Sequence, residues 1–188
     1  MINNSIAAGS FWATKKPFDT EIYFSTNGFI KHREEKISNF QKIDLSKLWR
    51  RKYLFFGEIL AISFETENYF YFFESHPGQL YHCDLPNAKI SNKINQEIFC
   101  FFWYPGSKSC GLKIYSKNEL IRHIESEFDY AIIKNEDYFL EDEDEIINIS
   151  KTFNEKQLIE YLINSKVDLP KSINSNTNID ANLYFLTR

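Results

Sequence analysis

Five consecutive aromatic residues, Tyr69-Phe70-Tyr71-Phe72-Phe73, constrain this chain more than any other stretch. In an extended strand, successive side chains point to opposite faces. The run is therefore aromatic on both faces, and a strand of that kind belongs in the interior of a sheet covered on both sides. It lies within three short apolar runs, Ile59–Phe64, Tyr69–Glu74 and Gln79–Asp84, separated by turn-like breaks at Glu65–Asn68 and Ser75–Gly78. That spacing predicts a three-stranded antiparallel meander.

The rest of the chain can build a core around this run. Eighteen Phe and eleven Tyr in 188 residues exclude a disordered chain, which has few aromatics. The length predicts a single domain. Net charge is −4, but residues 1–52 balance at +5 and residues 53–188 at −9. An acidic chain is a poor general binder of nucleic acid, and its acidic part suits a basic partner. Cys83, Cys100 and Cys110 lack CxxC spacing and read as free thiols rather than a disulfide framework. The N-terminus lacks the basic and apolar regions of a signal peptide, and no apolar window approaches ~18 residues. A cytoplasmic protein without membrane contact is the expectation.

Along the chain, residues 1–17 read as irregular, with Phe11 and Trp12 as an anchor onto the body. Asn27-Gly28 between apolar-containing runs predicts a type I′ hairpin. Leu85–Glu97 reads as a polar connection. Ile98–Tyr104 is apolar on both faces and reads as a second central strand, followed by a Pro105–Lys108 turn and a strand through Leu112 and Ile114. Ser116-x-x-Glu119 has the form of a capping box, and Leu120, Ile121, Ile124 and Phe128 fit one helical face, predicting a helix over 117–128. Tyr130–Ile133 predicts a strand. Asn154 with Gln157 predicts a capped helix bearing Leu158, Ile159, Tyr161 and Leu162. Residues 171–182 read as a mobile segment, and Leu183–Leu186 as an edge strand or docking segment.

The densest charge is at Glu136, Asp137, Glu141, Asp142, Glu143, Asp144 and Glu145, seven carboxylates in ten residues, with Tyr138, Phe139 and Leu140 among them. Like charges at this density keep a segment solvated. Apolar residues inside it either pin a loop to the body or form the centre of an acidic-rimmed interface for a basic protein. The spacing lacks the glycine and ligand pattern of an EF-hand, so no metal site is predicted there.

Catalytic signals are weak. The chain contains no Walker loop, GxGxxG, HExxH or GxSxG. His82 and Asp84, read on a strand, share one face while Cys83 takes the other, so the three do not grip one metal. A small enzyme or metal protein using His76, His82 and Cys83 remains the alternative class. Arg50-Arg51-Lys52 offers a short basic edge for an accessory nucleic-acid contact, or an ordinary exposed loop. Aromatics without interleaved Lys or Arg favour core packing over base stacking.

The run from Asn68 to Asp84, NYFYFFESHPGQLYHCD, and the strand leading through Ser116-Lys117-Asn118-Glu119-Leu120 loosely resemble the SMI1/KNR4-like group of bacterial toxin-immunity proteins. The resemblance covers about a third of the chain, and the predicted Asn27-Gly28 opening departs from the group's initial helix. It implies a cytoplasmic protein that neutralises a toxin domain. The expectations are then an α+β domain, with an antiparallel sheet of about five to seven strands and at least two helices mainly in the C-terminal half. No cofactor is expected. The predicted contact surface is Glu136–Glu145, facing a basic toxin partner.

Overall fold

The computed structural model describes residues 9–38, 59–74, 79–127, 130–133, 153–169 and 180–187. In chain order these form β1 (Gly9–Lys15), α1 (Thr20–Asn27), β2 (Ile30–Ile37), β3 (Ile59–Glu65), β4 (Tyr69–Glu74), α2 (Gln79–His82), α3 (Asp84–Ile94), β5 (Ile98–Tyr104), β6 (Ser109–Ser116), β7 (Glu119–Glu127), β8 (Tyr130–Ile133), α4 (Glu155–Asn164) and β9 (Ala181–Thr187). The class is α+β. All strands join one antiparallel sheet in the order β2-β9-β3-β4-β1-β5-β6-β7-β8, nine strands rather than the expected five to seven.

The aromatic strand lies where its two apolar faces require. β4 pairs with β3 on one side and β1 on the other. Tyr69, Tyr71 and Phe73 face a core completed by Phe153, Leu158, Tyr161, Leu162 and Val167 from α4 and its flanks. Phe70 and Phe72 face the opposite core, completed by Tyr23, Phe24, Tyr81, Ala88 and Ile90 from α1, α2 and α3. Phe72 alone meets six rings, with centroids 4.4–6.3 Å away. Ring pairs of this kind each add about 0.5–1.5 kcal/mol beyond simple burial. Ile98–Tyr104 is central as well, paired between β1 and β6.

Several local expectations are overturned. Residues 9–15 are not an irregular anchor but the middle strand of the sheet, and Phe11 and Trp12 are fully buried on opposite faces of it. Asn27-Gly28 closes a helix instead of turning a hairpin. Asp19 caps α1 by accepting from the Glu21 N–H at 3.0 Å, and Gly28 (φ 69°, ψ 27°) donates its N–H to Phe24 and Ser25. Asn-Gly signals a positive φ, and a helix C-terminus uses that conformation as readily as a type I′ turn does. The third run of the meander, Gln79–Asp84, is helical, and the polar connection Leu85–Glu97 contains most of α3.

Within the predicted helix over 117–128, Glu119–Glu127 is instead the strand β7, and residue 128 lies outside the described part. Lys117 (φ 49°) and Asn118 (φ 71°) are both left-handed and form a two-residue turn that pairs Ser116 with Glu119. Ser116 and Glu119 thus close a hairpin, and their capping-box spacing is coincidental. One helix among the described residues, α4, lies in the C-terminal half, so the helices are not concentrated there. That helix starts as predicted: Asn154 accepts from the Gln157 N–H at 3.4 Å, and the Asn154 N–H donates to Gln157 Oε1 at 3.2 Å. Leu183–Leu186 is neither an edge nor a docking segment, since β9 lies between β2 and β3. Ala181 and Asn182, expected to be mobile, open β9, and residues 171–179 lie outside the described part.

The end strand β2 is exposed from Ile30 to Glu34 and carries six charged or titratable residues in a row, Lys31 to Lys36, with a register shift between Lys31 and Arg33. Its cations lie across aromatic rings: Arg33 is 3.7 Å from the Phe185 centroid, and Lys31 is 5.8 Å from those of Phe24 and Tyr184.

The two left-handed positions give a direct test. Gly28→Ala is expected to destabilise the protein by about 1 kcal/mol, because a Cβ is strained at that φ. Asn118→Gly is expected to be neutral or slightly stabilising, because glycine suits the turn. Urea denaturation of both variants checks this. A clear loss of stability in Asn118→Gly would argue against the β6–β7 turn.

Candidate functional site

Where α2 and α3 meet the sheet, titratable groups gather on a surface that is otherwise apolar. Lys113 points from β6 into the layer under the helices, cross-strand from Cys100 on β5 and His123 on β7. Its side chain is only 5% exposed. A buried ammonium needs a compensating charge and hydrogen bonds. Lys113 Nζ donates to Asp84 Oδ1 at 2.8 Å and to the Tyr81 carbonyl at 3.2 Å, and it lies 4.6 Å from the Tyr81 ring centroid.

Asp84, the first residue of α3, is placed by the helix start. A carboxylate there meets the positive end of the helix dipole. Its side chain is half exposed and takes a second bond from Tyr115, whose hydroxyl donates to Oδ1 at 2.5 Å. Burial alone would raise the Asp84 carboxyl. The hydrogen bonds from Lys113 and Tyr115, with the Lys113 charge, more than offset this and hold it below the ordinary carboxylate range. Burial, assisted by neighbours that disfavour a phenolate, pushes the Tyr115 hydroxyl far up, so it stays a proton donor. Burial does the same to Tyr81, with Glu125 next in effect.

Tyr81 anchors α2. Its ring meets Phe102 edge-on at 4.7 Å and His123 at 6.0 Å. The sheet makes room for it at Gly111, where an added Cβ would lie 2.6 Å from the Tyr81 hydroxyl and 2.4 Å from the Phe102 ring. His123, nearly buried, pairs through Nε2 with Glu125 Oε1 at 2.7 Å. Deeper under α3, Trp12 Nε1 donates to Asn87 Oδ1 at 3.2 Å, and Asn87 Nδ2 donates to Cys100 Sγ at 3.3 Å. The arrangement fixes an ionised carboxylate at the surface and a protonated amine beneath it, and it ties both helices to the sheet.

The residues singled out from sequence are distributed differently. Glu136, Asp137, Tyr138, Phe139, Glu141, Asp142, Glu143, Asp144 and Glu145 lie outside the described residues, as do His76 and Arg50-Arg51-Lys52. His82 is exposed at the end of α2, and Cys83, half-buried, precedes α3. They do not alternate along a strand, so the reading in which His82 and Asp84 share a strand face is overturned. Among the described residues, no three His, Cys, Asp or Glu side chains converge to hold a metal ion. No described helix is long and apolar enough to cross a membrane. Cys100 and Cys110 are buried free thiols on opposite faces of the sheet.

Lys113, Tyr115, His123 and Glu125 were missed. Lys113 is a lone cation inside Cys110-Gly111-Leu112-Lys113-Ile114-Tyr115, which is a usable signal for a buried ion pair. His123 and Glu125 share a face only on a strand, and the helical reading of 117–128 hid that. Compared with known proteins, the chain matches no family model, no curated protein and no solved structure.

Two measurements test this cluster. Lys113→Met is expected to cost about 1–3 kcal/mol by urea denaturation, because the Asp84 and Tyr81 carbonyl bonds are lost together. An unchanged midpoint would show that the ion pair contributes nothing. The second concerns pH. A carboxyl held low in the folded state stabilises the fold above its unfolded pKa, and that contribution is lost as pH falls through the lower folded value. Wild type is therefore expected to lose stability below about pH 4. Asp84→Asn is expected to be less stable at neutral pH and to show a flatter acid limb. Parallel acid limbs in melts from neutral pH downward would contradict this.

Proposed function

We propose that this protein is a non-enzymatic binding protein of the immunity or antitoxin type, which neutralises a basic toxin domain by covering it. One observation carries the reading: seven carboxylates enclose Tyr138, Phe139 and Leu140 in a stretch that begins three residues after the end strand β8. Dense charge speeds encounter with a basic partner, and aromatic residues within it supply the short-range contacts that slow dissociation.

The geometry around α3 supports the same reading. Asp84, Lys113 and Tyr115 bond to one another and to the α2 main chain, so their chemistry is directed to holding helices in place. β8, which precedes the acidic stretch in sequence, pairs with β7. The absence of a membrane-crossing helix among the described residues is compatible with a protein partner met in solution.

The test begins with affinity capture of a partner from the native cytosol together with the products of neighbouring genes. Binding of that partner is then measured with Glu141, Asp142, Glu143 and Asp144 changed to Lys. The expected result is at least about a hundredfold loss of affinity, roughly 2.7 kcal/mol, with unchanged far-UV circular dichroism and melting temperature. Undiminished binding by the charge-reversed protein would overturn the proposed surface.

A further inference from the structure

At the end of the sheet where β2 and β3 finish and β4 and β9 begin, a cleft of about 440 Å³ opens. Its volume is within the range of small-molecule sites. Because side chains alternate along each strand, Lys36, Ser63, Glu65, Phe70 and Asn182 belong to the face that carries α1–α3, and Asp180, just before β9, also lines the cleft. The polarity of this floor is unusual. Ser63 and Asn182 are cross-strand partners in a row that continues apolar through Phe72, Trp12 and Cys100.

Ser63 is 1% exposed, and its hydroxyl meets that of Tyr184 at 3.1 Å. A hydroxyl has one donor and two acceptor positions, so this bond leaves hydrogen-bonding capacity at the floor. Glu65 is already neutralised by Lys16 at 3.3 Å. Lys36 and Asp180 form no ion pair with any described residue. Among the described residues that line it, the cleft thus offers one available cation and one available anion, with Phe70 among its walls.

We propose that this cleft binds a small zwitterion of the α-amino-acid class with an apolar side chain. Asp180 takes the ammonium and Lys36 the carboxylate. Ser63 and Asn182 supply hydrogen bonds, and the apolar body packs towards Phe70. A ligand with only one charge leaves either Lys36 or Asp180 without a counter-charge and binds more weakly. The proposal is independent of the toxin-partner reading.

The test is isothermal titration of the full chain with L-phenylalanine and L-leucine. Phenethylamine and 3-phenylpropionate, which each lack one charge, are the controls. Saturable binding of the amino acids is expected, with a dissociation constant of about 1 mM or tighter, and each control should bind at least about tenfold more weakly. Asp180→Asn and Lys36→Met should each lose a similar factor while melting like wild type, since both positions are exposed. In amide NMR spectra, shifts on ligand addition should centre on Ser63 and Asn182. The proposal is overturned by absent saturable binding, by equal binding of the singly charged controls, by unaffected variants, or by shifts centred elsewhere.

Discussion

Three adjacent strands, β4, β1 and β5, present large apolar side chains to both faces of the sheet, and the rest of the architecture follows from that demand. A sheet that is apolar on one side needs a single covering layer; here both sides would otherwise lie open to water. Tyr71, Phe11 and Phe101 face α4, while Phe72, Trp12 and Cys100 face the other three helices. The covering layers are unequal. About six turns of helix in α1, α2 and α3 spread over one face, whereas α4 and its flanks close the other. Asp168 fastens the α4 side, accepting from the Asn68 N–H at 2.7 Å and, through its main-chain carbonyl, from the Tyr71 hydroxyl.

Lys113 solves a different problem on the helical face. Apolar packing is non-directional and does not by itself fix the height or rotation of a short helix. A buried ammonium has directional requirements, and it meets them at one carboxylate and one carbonyl on successive helices. The four-residue α2 has too little surface to hold its position alone. Tyr81 and the Lys113 bond to its carbonyl supply what its length does not.

Central strands were legible because their side chains are apolar at every position, a signal that survives without neighbours. Tyr69–Phe73 and Ile98–Tyr104 needed no partner to be recognised. The capped start of α4 was equally local, since Asn154 and Gln157 bond to each other's main chain. Elements failed where one local pattern serves two structures. Asn27-Gly28 and Lys117-Asn118 both encode positive φ, and whether a helix end or a hairpin uses it depends on what the flanking residues later touch. Gly9–Lys15 was obscured by its small and polar residues, which become central only because Phe73 and Phe101 flank them. The polar cluster under α3 joins residues from 81 to 125, so the spacing of any single stretch could not reveal it. The acidic contact surface proposed from sequence lies outside the described residues and still rests on composition.

The charged end strand has a consequence for the molecule's behaviour in a crowded solution. A chain this rich in aromatic strands carries the ingredients of an open-ended fibril, in which each new strand would template the next. β2 interrupts that growth. An incoming backbone would meet a shifted hydrogen-bond ladder and a dense hydration layer held by Lys31 to Lys36, and docking would require stripping water from both signs of charge. The Arg33 guanidinium lies over the Phe185 ring of β9, and the Lys31 ammonium lies over that of Tyr184. At this end, β2 acts as an insulator for the sheet, allowing its interior to remain strongly apolar without making the whole particle adhesive.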